Sequence, residues 1–521
     1  MLHLAKRAFK YVKKNGIKSF IPRVRLYIED KNFLKNYYSK TALTMEEIDA
    51  QRNKRFDYEP VISIIIPLYK TPINFFNELV DTITGQTYGN WELCLADGTG
   101  VETELTEVCR SLMDKDKRIK YKLLESNGGI SENTNAALAM ATGEFIMLAD
   151  HDDLLEIDAL YECVKALNEN NKIDSIYTDE DKVDLSGKKK SEPHLKPDFN
   201  LEYLRTNNYI CHIFVTRRDI AIRVGGFSKE YDGAQDFDFI LKCTEQSRVV
   251  YHIPRVLYHW RCHTGSTAAK PESKLYAYEA GVKAVKEHYN RCKISVNVKR
   301  DGENYGYYVA ERNIDEHLSD DVLIISEDDV KKVNDVISNS DKEYILLLNK
   351  EIEAEDKTII RLLEYAFDSE VAAVTCRIND KADKVIQGPI MLGVNGLFDY
   401  SMKGKDSSYP GYYRRLVLPQ NVTIGDYRCI MLKKSIVLSQ GGLSEDLPLG
   451  LAVFEYSLKA EKENLRTVYT PYTIVTYVGT EVFPEYRSED EEIFIRRWQD
   501  RIKKGDPYYN RWFAINRYMF C

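Results

Sequence analysis

The strongest constraint on the fold is an alternation of strand-like and helix-like segments between residues 60 and 149. The apolar runs are 61–66, 92–96, 119–124 and 145–149, and the stretches with helical periodicity are 74–83 and 133–141. Strands that alternate with helices predict a doubly wound, mostly parallel sheet, because each crossover helix packs on a sheet face. We therefore expect an α/β fold with its ligand site at the carboxyl ends of the strands.

Acidic residues lie directly after the last of these runs, in residues 150–153 (Asp-His-Asp-Asp), which we call the acidic loop. Carboxylates this close repel one another unless a cation lies between them, and hard divalent cations prefer oxygen ligands. At the carboxyl edge of a sheet, this pattern predicts a metal ion that holds a diphosphate. Taken alone, such acids are also typical of a helix N-cap or a solvated loop. Tyr69 and Asp97 follow two other strands. At that edge the ring of Tyr69 would face a nucleobase, and the carboxylate of Asp97 would accept its N–H.

Composition limits the class of protein. The 521 residues are 44% hydrophobic and 30% charged, as expected of a soluble chain with two or more cores. A net charge of -8 and a pI of about 5.8 argue against nucleic-acid binding as the main role. The ten cysteines show neither a Cys-x-x-Cys pair nor zinc spacing, so they indicate a reduced, cytosolic protein. No run approaches the roughly 20 apolar residues that span a bilayer, and a cytoplasmic location is expected.

The amino-terminal segment, residues 1–27, has a different composition. Lysines and arginines alternate there with apolar residues, and no acidic residue is present. Such a segment suits the anionic inner face of the cell membrane, which would make the protein peripheral to it. The alternative is a solvated helix packed on the next domain, since Gly16 and Pro22 interrupt any long helical face.

Ordered motifs lie at the ends of the predicted elements. They are Ile66-Pro67-Leu68-Tyr69, Leu95-Ala96-Asp97-Gly98-Thr99, the segment from Asn127 to Ser131, Gly143-Glu144-Phe145-Ile146 and the acidic loop. In this order they resemble the motifs of family 2 glycosyltransferases with the GT-A nucleotide-sugar fold. Further matching motifs are 177–181, 225–227, 235–238 and 258–267, so the resemblance covers about residues 60–298.

The resemblance implies a set of donor and metal contacts. Asp150 and Asp152 would hold Mg²⁺ or Mn²⁺, which grips the diphosphate of a nucleotide-sugar donor. His263 would complete the metal shell or touch the phosphates, with His259 as a second candidate, and Arg261 would clamp the anion. The donor-binding residues implied are Pro67, Tyr69, Asp97, Asn127, Asp150 and Arg261.

The resemblance also implies a catalytic base, Asp236. This carboxylate would take the proton from an acceptor hydroxyl that attacks the anomeric carbon opposite the diphosphate, which inverts the configuration. Apolar periodicity predicts a helix that begins here, and its amino terminus would favour the ionised carboxylate. Asp238 is the alternative base. Asp179 and Glu180 either hydrogen-bond the sugar or acceptor, or form a solvated strand end.

The sequence from about residue 308 repeats the first domain imperfectly. Residues 342–351 align with 143–152, so Asn349 and Glu351 replace the two predicted metal ligands, and Val453 falls where Asp236 stands. Only about thirty residues separate the apolar run 322–325 from Asn349, against about ninety in the first domain. That length is too short for two βα units. The second copy is therefore predicted to lack the nucleotide-binding half.

These observations predict three parts: a basic helical segment (1–58), a catalytic GT-A domain (59–300) and a degenerate, truncated GT-A-like domain (301–521). Tandem chains of this kind resemble bacterial transferases that build rhamnose-containing and other surface polysaccharides. The predicted function is metal-dependent, inverting transfer of a sugar from a UDP- or dTDP-sugar to a hydroxyl of a cell-surface polysaccharide or lipid-linked oligosaccharide. A non-catalytic glycan-binding or scaffold protein of the same fold is the alternative. A nucleotidyltransferase ranks third, because its glycine-rich basic loop is missing.

Overall fold

The computed structural model describes residues 33, 35–262, 275–302, 304–355, 357–480 and 486–513. Two large mixed β-sheets, one in each half of the chain, organise this part. No helix within it is both long enough and apolar enough to cross a membrane. The basic segment 1–27 and His263, which the sequence singled out, lie outside the described residues.

The first sheet has the strand order β3-β2-β1-β4-β8-β6-β9-β5, with β7 paired to β6. Its strands are β1 (Ile62–Leu68), β2 (Trp91–Asp97), β3 (Ile119–Leu123), β4 (Phe145–Leu148), β5 (Leu154–Leu155), β6 (Ile173–Val183), β7 (Lys190–His194), β8 (Phe214–Arg217) and β9 (Val249–Arg261). Strands β1 to β4 are parallel, as the alternation predicted. Strand β8 runs antiparallel to both β4 and β6, so the sheet is mixed beyond β4.

Helices accompany this sheet. They are α1 (Met45–Asn53), α2 (Ile73–Thr84), α3 (Glu104–Lys115), α4 (Ile130–Met140), α5 (Ala159–Glu169), α6 (Leu201–Leu204), α7 (Arg218–Arg223), α8 (Gln235–Gln246) and α9 (Leu275–Arg291). Strand β1 shows how the sheet separates two cores, because successive side chains of a strand point to opposite faces. Ile64 and Ile66 belong to one apolar cluster, and Ile65 belongs to the other.

The second sheet has the order β12-β13-β20-β15-β21-β14, with β16 paired to β15 and β19 to β21. Its strands are β12 (Val322–Ile325), β13 (Tyr344–Leu348), β14 (Ile352–Glu353), β15 (Val371–Asp380), β16 (Val385–Gln387), β19 (Gln420–Val422), β20 (Cys429–Lys433) and β21 (Arg466–Tyr477). This order matches β1-β4-β8-β6-β9-β5 of the first sheet strand for strand. Counterparts of β2 and β3 do not occur among its described strands.

Besides three 3-10 helices (Lys229–Tyr231, Glu316–Asp321 and Tyr412–Arg414), the structure describes two hairpins and five further α-helices. They are β10 (Val296–Arg300) with β11 (Tyr308–Arg312), β17 (Ile390–Leu392) with β18 (Phe398–Tyr400), and α10 (Val330–Asn339), α11 (Lys357–Ala366), α12 (Lys434–Ser439), α13 (Leu449–Lys462) and α14 (Ser488–Lys503). The predicted domain boundary at residues 300 and 301 falls between the strands of the first hairpin.

A buried cluster of charges joins the two halves of the chain. The carboxylate of Glu202, in α6, accepts hydrogen bonds from Arg205 at 2.6 Å, Arg312 at 2.7 Å and Arg466 at 2.9 Å. Arg205 belongs to the first half, whereas Arg312 and Arg466 belong to the second. Because charges are costly to bury unless they are paired, this cluster fixes how the halves dock.

Candidate active site

A cavity of about 480 Å³ opens at the carboxyl ends of β1 and β4. Pro67, near the end of β1, and Asp150, which follows β4, line it. Asp236, at the start of α8, lines it as well. Further lining residues are Ile130, Cys211, His212, Asp232, Trp260 and Tyr276. The structure thus brings one predicted metal ligand and the predicted base to the same cavity.

The acidic loop presents its carboxylates to different environments. The side chain of Asp150 is 40% exposed, and its Oδ2 lies 3.5 Å from Nε2 of His212. Burial acts to raise the pKa of Asp150, but the interactions with His212 and the charge of His151 together outweigh it and lower that pKa. Asp153 is fully buried and accepts the hydroxyl of Tyr258. Burial, then the charges of Asp150 and Asp152, raise the pKa of Asp153. The loop therefore keeps Asp150 ionised.

Arg261 makes hydrogen bonds that hold the acidic loop in place. Its guanidinium is buried and donates to the carbonyl oxygen of Asp152 at 2.7 Å, to the carbonyl oxygen of Leu185 at 3.0 Å and to Glu78 at 2.6 Å. Its backbone N–H donates to Asp153. The sequence suggested an anion clamp at Arg261, but here its donors already bond to protein oxygens, so it braces the loop.

Arg261→Lys tests this brace. A lysine cannot span the three acceptors, so buried oxygens lose their donors, and we expect the free energy of unfolding to fall by about 1–3 kcal/mol. Thermal and denaturant unfolding measure the effect. Arg223→Lys is the matched control, because the ion pair of Arg223 with Asp219 is solvent-exposed and contributes about 0–1 kcal/mol. Unchanged stability together with weakened donor binding would instead favour the clamp.

His259 lies next to Arg261 on β9 but is engaged elsewhere. Its Nδ1 lies 2.6 Å from Asp181 Oδ1, and its Nε2 lies 3.0 Å from Glu156 Oε1. The ring is buried. Burial acts to lower the pKa of His259, but the adjacent Asp181 outweighs it and raises that pKa. Both ring nitrogens are therefore engaged by carboxylates of the protein. His259 is not among the residues that line the cavity.

Asp236 occupies the first turn of α8, where the sequence predicted a helix start. Its Oδ2 accepts the side-chain N–H of Asn208 at 2.9 Å. Burial raises the pKa of Asp236, although the charge of His212 acts to lower it. Asp238, the alternative base, is fully buried and lies 2.6 Å from Nζ of Lys242. Only Asp236 of the two lines the cavity.

The predicted donor-binding residues of the parallel half lie along the carboxyl edge of β1 and β2. Tyr69 is 41% exposed. Asp97 is buried; its Oδ1 accepts Thr99 and its Oδ2 accepts the hydroxyl of Tyr121 at 2.9 Å. The side-chain oxygen of Asn127 accepts the N–H of Gly129 and so shapes the turn before α4. Pro67 is the member of this set that lines the cavity.

Asp179 and Glu180 lie within β6 and are buried there rather than solvated. Asp179 accepts His252 at 2.9 Å and the N–H of Lys196 at 2.7 Å. Glu180 pairs with the buried ammonium of Lys196 at 3.1 Å. Neither acid is among the cavity-lining residues, so the contacts that the structure gives them are with the protein itself.

His212 is a site residue that the sequence reasoning missed. It precedes β8, and because β8 runs antiparallel to β4, the start of β8 meets the acidic loop. Its ring stacks on Tyr258 at 4.8 Å, and its Nδ1 is buried without a hydrogen-bond partner. Burial acts to lower the pKa of His212, but the carboxylates of Asp150, Asp153 and Asp236 together outweigh it and raise that pKa to about 9. The sequence signal for this residue was a histidine directly before an apolar run. That signal indicates a site residue only when the direction of β8 relative to β4 is known.

Comparison with known proteins identifies the first domain. Residues 63–225 match the family model described as glycosyl transferase family 2. The amino-terminal domain belongs to this family. Its sheet, which is parallel from β1 to β4, agrees with the α/β fold that the sequence predicted, and a second domain follows it.

Relatives extend the similarity over most of the chain. An uncharacterized protein of Sinorhizobium fredii is 28% identical over 89% of this chain and 59% of its own length. The O-antigen biosynthesis protein RfbC of Myxococcus xanthus is 25% identical over 88% of this chain and 40% of its own length. Residues 1–349 of Staphylococcus aureus TarS, solved with UDP-GlcNAc, are 19% identical, with a TM-score of 0.36 over 44% of this chain and 66% of that one. The chain therefore spans less than two thirds of the length of the Sinorhizobium fredii protein and of RfbC.

The glycosyltransferase domain offers ligands that fit a divalent cation. Asp150 presents a partly exposed, ionised carboxylate to the cavity, and Asp152 lies two residues further on. Across the part of the chain that the structure describes, no group of three His, Cys, Asp or Glu side chains is arranged to hold a metal ion. Mg²⁺ is commonly held by one or two carboxylates together with substrate phosphates. The two aspartates therefore suit a cation that a diphosphate also binds.

Proposed function

We propose that this protein is an inverting glycosyltransferase that moves a sugar from a nucleotide-diphosphate donor, a UDP- or dTDP-sugar, to an acceptor hydroxyl. The observation that carries the proposal is that Asp150, which follows β4, and Asp236, in the first turn of α8, line the same cavity. A single displacement needs a diphosphate held on one side of the sugar and a base on the other. The family match of the first domain supports this chemistry.

In this proposal Asp236 is the base. Its carboxylate accepts the proton of the acceptor hydroxyl, and the hydrogen bond from Asn208 keeps it oriented. The raised pKa of Asp236 makes it a stronger base than an exposed aspartate. Asp150 and Asp152 hold Mg²⁺ or Mn²⁺. When bound, the cation supplies positive charge that stabilises the departing nucleotide.

Other residues bind the donor or shape its pocket. Pro67 lies near the end of β1, and Tyr69 follows that strand, where its ring is available to a nucleobase. Asp97 and Asn127 shape the adjoining turns. Arg261 keeps the acidic loop in place. His263 remains a proposed metal or phosphate ligand from the sequence motif alone.

We further propose that the acceptor is a cell-surface polysaccharide or a lipid-linked oligosaccharide. The name of RfbC, an O-antigen biosynthesis protein, supports a glycan of this kind. The enzyme would work in the cytoplasm, at the inner face of the membrane, with the basic segment 1–27 as a contact to anionic lipid. The division into 1–58, 59–300 and 301–521 is part of the same proposal.

Asp150→Ala tests the proposal. The change removes a metal ligand, so we expect the apparent affinity for Mn²⁺ and for the donor to weaken at least about tenfold, with transfer falling accordingly. A panel of UDP- and dTDP-sugars with Mn²⁺, Mg²⁺ or chelator measures donor hydrolysis and transfer.

Glu351→Ala is the matched control, because Glu351 is the counterpart of Asp152 in the second domain and its contact is with the hydroxyl of Tyr477. Metal-dependent turnover in this control and in the wild type is expected. If no donor is turned over by any variant while all of them bind glycan tightly, the non-catalytic, glycan-binding alternative replaces the proposal.

A further inference from the structure

A buried ion pair fixes the backbone on both sides of His212. Lys196 is fully buried, and its ammonium donates to the carbonyl oxygens of Ile210 at 2.6 Å and His212 at 2.9 Å. Glu180, which pairs with Lys196, accepts the backbone N–H of His212 at 3.2 Å. One ion pair therefore sets where the imidazole of His212 meets Asp150 in the cavity.

Two residues from the second half of the chain enclose this ion pair. The ring of Tyr413 stacks on His194 with centroids 3.7 Å apart and planes 5° apart. His194 Nδ1 in turn lies 3.6 Å from Glu180 Oε1. From the carboxyl-terminal segment, Asn510 donates to the carbonyl oxygen of Lys196 at 3.0 Å and to Asp179 at 3.0 Å. Tyr413 thus acts on Glu180 through His194, and Asn510 bonds the backbone of Lys196.

The backbone of Tyr413 is held in a conformation that needs support. Its φ is 45°, a left-handed value that is uncommon for a bulky residue and persists only where surrounding contacts impose it. One such contact is the hydroxyl of Tyr203, which donates to the carbonyl oxygen of Tyr413 at 2.7 Å. The second domain therefore presents this ring to His194 through contacts with the first domain.

We propose that Tyr413 and Asn510 are positioning residues for the transfer reaction. They exclude water from the pair of Lys196 and Glu180, and a buried pair is rigid only while it stays dry and fully hydrogen-bonded. The rigid pair keeps His212 beside Asp150. This inference rests on the proposed function, and it assigns the degenerate second domain a role in catalysis by the first.

Tyr413→Leu tests the proposal in the full chain. Loss of the stacked ring admits water beside Glu180 and His194, so we expect kcat to fall about 10–100-fold, with a smaller change in KM for the acceptor. Tyr413→Phe keeps the ring and should retain kcat within about twofold. Arg466→Leu is the matched control: it removes one arginine of the Glu202 cluster, while Arg205 and Arg312 still pair with Glu202 and keep the halves docked, and it does not touch Lys196 or Glu180. Its kcat should match that of the wild type.

A second readout is independent of turnover. NMR of protein with ¹⁵N-labelled histidine reports the ring of His212, whose signal is assigned by its absence in His212→Gln. We expect that signal to move in Tyr413→Leu and to stay in Tyr413→Phe and Arg466→Leu. A folded Tyr413→Leu protein with wild-type kcat and an unmoved signal would overturn the proposal, as would an equal fall in kcat in Arg466→Leu. If the His212 signal moves in Tyr413→Leu but the wild type turns over no donor, Tyr413 still positions His212 and the proposed function is rejected.

Discussion

Asp236→Asn is expected to reduce sugar transfer by about 10²–10⁴-fold, the contribution typical of a positioned general base. Asparagine has nearly the same shape, so the cavity, the start of α8 and the contact with Asn208 should survive. What disappears is the only property that the mechanism requires of this side chain, its capacity to take a proton. Donor binding, measured by calorimetry with Mn²⁺ and the nucleotide sugar, should therefore remain within a few-fold of the wild type.

Asp238→Asn is the matched control, because Asp238 lies on the same helix two residues later. It is fully buried and paired with Lys242, and it does not line the cavity. We expect its effect to be on stability, through an uncompensated Lys242, with kcat of the folded protein preserved. A collapse of kcat in Asp238→Asn with normal turnover in Asp236→Asn would exchange the two assignments.

The pH dependence of transfer gives a further check on the same residue. Because a base acts only when ionised, kcat/KM should fall as the pH drops through the pKa of Asp236. Burial raises that pKa, so the acidic limb should lie above the range of an exposed aspartate. A pH–rate profile of the wild type measures the limb, and a limb at the ordinary aspartate value would argue against a buried base.

The sequence predicted those parts of the site that depend on local pattern and strand order. Strands β1 and β4 could be recognised from their apolar runs, and parallel strands must bring Pro67 and Asp150 to the same edge. The helix start at Asp236 follows from local periodicity in the same way. These inferences need only short segments and one general rule about sheets.

Contacts between distant segments could not be predicted in that way. His212 reaches the acidic loop because β8 reverses direction, and no local pattern specifies that reversal. Arg261 and His259 carry the right chemistry for phosphate or metal, yet Glu78, Asp181 and other protein groups, far away in sequence, already occupy their polar atoms. Residue type indicates what a side chain can bind, whereas the fold determines which groups lie within hydrogen-bond distance of it.

The largest effect on stability is expected from Glu202→Gln. The change takes the carboxylate away from the buried guanidinium groups of Arg205 and Arg312. It also removes one partner of the partly buried Arg466, which keeps its contacts with Asp368 and Glu370. Removing one partner of a buried ion network costs about 3–5 kcal/mol, because the remaining charges are desolvated and uncompensated. Since these arginines come from both halves of the chain, we expect undocking of the halves to accompany the loss. Denaturant unfolding with limited proteolysis measures both.

Glu370→Gln is the control for this change, because Glu370 also contacts Arg466, at 3.3 Å, but is 69% exposed. An exposed pair contributes about 0–1 kcal/mol, so the two variants should differ clearly in unfolding midpoint. Burial acts to raise the pKa of Glu202, but the three arginines outweigh it and lower that pKa. The stabilisation is thus fully present above the pKa of an unfolded glutamate and declines as the pH falls below it. Equal midpoints for both variants would show that the cluster does not hold the halves together.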